Sequence, residues 1–208
     1  MRKLFLPGYG ATGRLYARGL EEGWQALEPP PFHATNGALA SYVDWVRREL
    51  RRNDRPIWLA GHSMGGALAM LATTADPRRV ARLTLVSPAG LPLRKPIPAS
   101  LVLFATQVAR RRYGFDEIRR EVGQALRAPR AALRLAQAVR RLDLTSEMRS
   151  LRASGVPVEV VGCSTDSLVT PAHCREVASI LGADYRELEL AGGHMWMLTA
   201  WPVFSELL

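Results

Sequence analysis

One hexapeptide constrains the fold of this chain more than any other: Gly61-His62-Ser63-Met64-Gly65-Gly66 separates the apolar run Ile57-Trp58-Leu59-Ala60 from the small-residue helical run Ala67-Leu68-Ala69-Met70-Leu71-Ala72. Glycines two before and two after the serine let a strand and a helix approach without side-chain collision, as a sharp strand-to-helix turn requires. The serine at its tip is expected to adopt strained dihedrals, with its hydroxyl held out above the sheet. Because it opens a helix, its oxygen lies near backbone N–H groups and the positive end of the dipole, where developing negative charge is stabilised.

The rest of the chain supplies the sheet that such a turn needs. Leu4 to Leu6, Trp24 to Leu27, Ile57 to Ala60, Leu83 to Val86, Val156 to Val161 and Tyr185 to Leu190 read as strands. Several are continuous Val/Leu/Ile, as in strands buried on both faces, and helical patterns alternate with them, predicting an α/β fold with a mostly parallel sheet. Ser41-Tyr42-Val43-Asp44 resembles a capping box, with Val43, Val46 and Leu50 at helical spacing and Arg47, Arg48, Arg51 and Arg52 left outside. Thr170-Pro171 reads as a helix start and Gly182 as its stop.

Residues 91–150 break the alternation. They offer helical stripes only (Leu101, Phe104, Ala105 and Val108; Ile118, Val122 and Leu126; Leu135, Val139 and Leu142), so residues 1–90 and 151–208 are expected to form one core with a helical cap inserted at 91–150. The cap holds 12 Arg and 1 Lys against 5 acidic residues, a net +8, whereas the whole 208-residue chain carries +9. A basic cap concentrates and steers acidic partners.

A serine hydroxyl is a weak nucleophile at neutral pH, so it needs a base, and the base needs an orienting carboxylate. Of four histidines, His62 is expected to point away from the turn, His33 sits in a Pro/Asn/Gly loop, and His173 lies in the first turn of a helix. His194 follows a strand through Ala191-Gly192-Gly193, a loop able to carry an imidazole over the strand ends. Asp166 is the only acid in the loop after Val156 to Val161; its alternative is an Asx turn before Pro171. Ser87-Pro88-Ala89-Gly90, after the preceding strand, holds no acid.

With these pieces in order, the chain resembles an α/β-hydrolase fold serine hydrolase of carboxylesterase type. The matching segments are Leu6-Pro7-Gly8-Tyr9-Gly10, the turn around Ser63, Gly162 through Asp166 to Pro171, and Gly193-His194-Met195. The resemblance implies that Ser63 attacks, His194 takes its proton, Asp166 orients the imidazole, and the N–H groups of Tyr9 and Met64 form the oxyanion hole. It implies cleavage of a carboxylic ester or thioester without metal or cofactor. Pro7 stands where the family usually has His, and the sheet is expected to lack the family's first two strands. The small core with a basic cap is similar to the esterases that demethylate pimeloyl-carrier-protein methyl ester in biotin synthesis, which implies an acidic carrier at the cap, with Arg111 and Arg134 as contacts. Trp196 is a candidate for the pocket wall.

Two further readings compete. A non-catalytic binding module would keep the fold alone. Gly8-Tyr9-Gly10-Ala11-Thr12-Gly13, with Glu28 20 residues beyond Gly8, matches the G-x-G-x-x-G dinucleotide pattern, although the helix it should open must fit before Gly23. Cys163 and Cys174 are expected to be free thiols, and no Cys/His spacing suits zinc. The basic cap lacks interleaved aromatics for nucleic acid. No apolar run approaches the roughly 20 residues of a membrane span. The short run Leu4-Phe5-Leu6 is no export signal, so the expected location is cytoplasmic.

Overall fold

The computed structural model describes residues 1–93 and 123–208. Six strands, β1 (Lys3–Leu6), β2 (Trp24–Ala26), β3 (Ile57–His62), β4 (Val80–Val86), β5 (Val158–Cys163) and β6 (Asp184–Leu188), form one sheet in the order β2-β1-β3-β4-β5-β6. Every pair is parallel. All six lie where the apolar runs predict. β2 is an edge strand, so Pro29 to Pro31 follow it without removing a ladder hydrogen bond.

Each face of the sheet carries a buried apolar cluster, and the alternation of side chains divides the core. Leu4, Leu6, Leu59, Leu83, Leu85 and Val160 pack beneath the helices Leu39–Arg51, Met64–Ala75, Thr145–Ala153 and Pro171–Leu181. Phe5, Ala60, Val86 and Val161 face the other way, against Leu15, Tyr16, Trp196 and Phe204 from short helical turns. Helix Leu39–Arg51 buries Tyr42, Trp45, Val46 and Leu50, at about 2 kcal/mol for each large apolar side chain removed from water. Its three arginines, Arg47, Arg48 and Arg51, and Arg52 just beyond its end stay outside.

Three expectations are corrected. Helix Leu39–Arg51 is capped by Ala38, three residues before Ser41, so Ser41 lies within the first turn and caps nothing. The boundary at residue 150 cuts helix Thr145–Ala153, whose Met148 and Leu151 are buried in the main core; the helix belongs to the layer beside Met64–Ala75. The half of the second sheet face nearest the strand starts is not apolar. Lys3 stands over the rings of Trp24 and Trp58, Arg82 stacks on Trp58 at 4.2 Å, and Glu159 pairs with both Arg82 and Arg186.

Of the expected cap, Leu101, Phe104, Ala105, Val108, Ile118, Val122 and Arg111 lie outside the described residues. Helix Pro129–Arg140 carries part of the third expected stripe and buries Leu135 and Val139. Leu126 is exposed. Its chain is tied to the core by Leu93 N–H to Arg140 C=O and Leu144 N–H to Gly90 C=O. Among the described residues no helix is long and apolar enough to cross a membrane.

Candidate active site

Ser63 sits at the junction of β3 and helix Met64–Ala75 with φ +54° and ψ −118°, outside the regions an L-residue ordinarily occupies. The surroundings over-determine this strain. The Ser63 N–H donates to Val86 C=O at 3.0 Å, and the Ser63 carbonyl accepts from the N–H groups of Gly66, Ala67 and Ala89. A Cβ on Gly61 would stand 2.4 Å from the Gly65 oxygen, and one on Gly65 would stand 2.2 Å from the Leu6 oxygen and 2.6 Å from that of Pro7. Both contacts are with backbone, which has nowhere to yield. Gly65→Ala is therefore expected to cost about 3 kcal/mol or more, read as a fall in Tm of about 6–12 °C; an unchanged Tm would contradict this packing.

The loops after β5 and β6 bring two distant residues to Ser63. The Ser63 hydroxyl lies 2.8 Å from His194 Nε2. His194 Nδ1 lies 2.8 Å from Asp166 Oδ2. Both His194 and Asp166 are buried, at 4% and 2% exposure, so solvent does not screen the pair. The other carboxylate oxygen, Oδ1, accepts the N–H groups of Leu168 at 2.9 Å and Val169 at 3.0 Å. The Asx-turn reading of Asp166 thus holds together with its contact to the imidazole: one oxygen fixes the carboxylate and frees the other to face His194. Thr165, which sequence reasoning did not single out, joins the two loops by donating to Leu190 C=O at 2.7 Å and accepting from Gly193 N–H at 3.1 Å.

The segment after β1 lies directly against this group. A Cβ on Gly8 would be 3.4 Å from Ser63 Cβ. Among the described residues the N–H groups of Tyr9 and Met64 have no hydrogen-bond acceptor. Two free donors beside a hydroxyl suit a developing oxyanion. The Tyr9 side chain turns the other way, its ring 5.4 Å from Phe32 and its hydroxyl donating to Ala132 C=O at 2.8 Å in helix Pro129–Arg140. Burial, with Tyr42 nearby, pushes the Tyr9 phenol up to about 12, so it remains a donor. The loop beside Ser63 is thereby fastened to the inserted helix.

The dinucleotide-like glycines have another use here. The helix they open, Gly13–Ala17, has five residues, and the Glu28 carboxylate accepts the Gly13 N–H at 2.9 Å. The acid that the pattern assigns to a ribose is spent on the helix end. Trp196, expected as a pocket wall, is instead fully buried in the second core cluster, edge-on to Phe204. Arg134 is exposed on helix Pro129–Arg140, and Arg127, Arg130 and Arg141 are exposed near it. His33 is exposed, and both cysteines are buried and free.

Two other histidines are held neutral. Burial, reinforced by neighbouring His194, pushes His62 well below the usual imidazole range, and burial lowers His173. Below about pH 6.5 the unfolded chain takes up protons that the folded protein refuses. Stability is therefore full above that pH and declines as pH falls toward the folded-state values, by up to about 1.4 kcal/mol per pH unit for each histidine. Urea unfolding is expected to show this falling midpoint, with a shallower decline in His62→Gln. An equal decline in the variant would remove His62 from the account.

Comparisons with known proteins agree with this architecture. The model of a family described as the alpha/beta hydrolase family matches residues 6–207. A search of curated proteins finds no match. Among solved structures, a lipase-esterase related protein from Clostridium acetobutylicum is 14% identical, with TM-score 0.75 over 99% of this chain and 92% of that one. An enol-lactonase from Burkholderia xenovorans is 19% identical, with TM-score 0.71 over 100% and 90%. A thermophilic esterase is 19% identical, with TM-score 0.74 over 100% and 88%. Likenesses at these identities establish the fold alone. The family match spans both loops that reach Ser63 as well as the turn itself, and the chain belongs to the alpha/beta hydrolase family.

Proposed function

We propose that this chain is a serine hydrolase that cleaves a carboxylic ester or thioester through an acyl-Ser63 intermediate. The observation that carries the reading is the continuous row Ser63 Oγ, His194 Nε2, His194 Nδ1 and Asp166 Oδ2, with 2.8 Å at each step between residues. Ser63 Oγ attacks the acyl carbon as its proton passes to His194 Nε2, and Asp166 stabilises the imidazolium. The Tyr9 and Met64 N–H groups receive the negative charge on the carbonyl oxygen. Collapse breaks the carbon–oxygen or carbon–sulfur bond, and His194 returns its proton to the departing alcohol or thiol. Water then attacks the acyl carbon with His194 again as base, releasing the carboxylic acid and restoring Ser63.

The solved neighbours include a lipase-esterase related protein, an esterase and an enol-lactonase, which supports acyl-oxygen chemistry here. Turnover of p-nitrophenyl esters across an acyl-length series tests the assignment. Measurable hydrolysis that one equivalent of a fluorophosphonate abolishes is expected. A folded protein inert toward every ester and thioester in the series would instead favour a binding module.

The arginines exposed along and beside helix Pro129–Arg140 favour one narrower reading: an anionic substrate, or an ester carried on an acidic protein. Arg134→Glu is expected to lower kcat/KM for a carrier-bound methyl ester at least about fivefold more than for a small neutral ester. Equal effects on the two substrates would remove the carrier from the account.

A further inference from the structure

We propose that His62 is a positioning residue for His194, and that Tyr16 holds His62 in the one tautomer able to do so; the inference rests on the serine-hydrolase reading of the site. His62 Nε2 lies 3.1 Å from the backbone carbonyl oxygen of His194. His62 Nδ1 lies 2.7 Å from the Tyr16 hydroxyl. A carbonyl oxygen only accepts, so Nε2 carries the proton; in a neutral imidazole this leaves Nδ1 as an acceptor, and the Tyr16 hydroxyl donates to it. The chain of donors runs in one direction, from Tyr16 through His62 to His194.

The geometry makes this contact matter. His194 is the second residue of the short 3-10 turn Gly193–Leu198, entered through Gly192, and Asp166 grips only its ring, at Nδ1. The bonds at Nδ1 and Nε2 act on the ring alone, whereas an anchor on the same residue's carbonyl fixes the Cα from which the ring extends. His62 provides that anchor, and Thr165 holds the preceding N–H of Gly193. His62 is 1% and Tyr16 0% exposed, so water cannot take over either bond. The oxyanion-side loop leaves room for the network, since a Cβ on Gly8 would stand only 3.0 Å from His62 Nδ1.

The two imidazoles also lie side by side, with ring centroids 4.7 Å apart. His194 becomes a cation during each turnover in the proposed mechanism, and a second positive ring at that distance would oppose it. Burial keeps His62 uncharged, so it braces the base without competing for the proton.

His62→Phe keeps a ring in the space and removes both polar atoms. Its kcat on a p-nitrophenyl ester is expected to fall about 10–100-fold, the scale of a slightly misplaced catalytic group, with KM within about twofold. His62→Gln keeps an N–H within reach of the His194 carbonyl and is expected to recover to within about fivefold of the wild type. Tyr16→Phe releases the tautomer and is expected to lower kcat about 3–10-fold. Histidine ¹⁵N chemical shifts of the wild-type protein should show His62 protonated at Nε2 alone. A folded His62→Phe with kcat within about twofold of the wild type, or a His62 protonated at Nδ1, overturns the proposal. If His62→Phe does not fold, Tyr16→Phe and the nitrogen shifts decide it. Ser63→Ala in the same assay separates the two levels. Its loss of activity beside an unaffected His62→Phe refutes the positioning alone, and its retention of activity refutes the reading beneath.

Discussion

Ser63→Ala is expected to lower kcat for a p-nitrophenyl ester by a factor on the order of 10⁵–10⁶, while leaving stability within about 0.5 kcal/mol of the wild type. The asymmetry follows from the surroundings of the residue. The strained backbone at φ +54° is held by main-chain bonds to Val86, Gly66, Ala67 and Ala89, none of which involves the hydroxyl. Removing the oxygen deletes the attacking atom and its 2.8 Å bond to His194 but leaves the turn and the free N–H groups of Tyr9 and Met64 in place. Residual turnover from those donors and a water activated by His194 sets the floor, on the order of 10³-fold over solution.

Asp166→Asn is expected to cost on the order of 10⁴ in kcat with KM little changed. The reason lies in the division of labour between its two oxygens. Oδ1 accepts from Leu168 and Val169 N–H groups, so an asparagine orients its own carbonyl toward them and presents its amide NH₂ to His194 Nδ1. Two donors cannot face each other, and the imidazole must turn Nδ1 into an acceptor by moving its proton to Nε2. That tautomer donates toward Ser63 and cannot take its proton. A variant with near-normal kcat would show that the Asp166 contact is structural only.

The strands and the serine turn were readable because each is a local pattern: an unbroken apolar run between two helices, or glycines whose missing side chains admit a crossing backbone. Asp166 and His194 were readable from their place in loops after strands. The supporting bonds were not, since Tyr16, His62 and Thr165 act on residues far along the chain and carry no signature in their own neighbourhood. Other misreadings share that cause. Ser41 has the chemistry of a cap, yet the helix starts earlier, where Leu39 packs against the core. Glu28 stands at the spacing of a ribose ligand, yet its carboxylate accepts the Gly13 N–H of its own chain. Trp58 reads as a buried strand residue but forms half of a cation-bearing stripe with Lys3 and Arg82. In each case tertiary partners decided what local sequence left open.

Peptide mapping after reaction with a fluorophosphonate tests the central claim most directly. The expected result is one adduct per chain, on Ser63, formed slowly in Asp166→Asn and absent in Ser63→Ala. An ester-hydrolysing protein that carries its adduct on another residue, or none, would contradict the account.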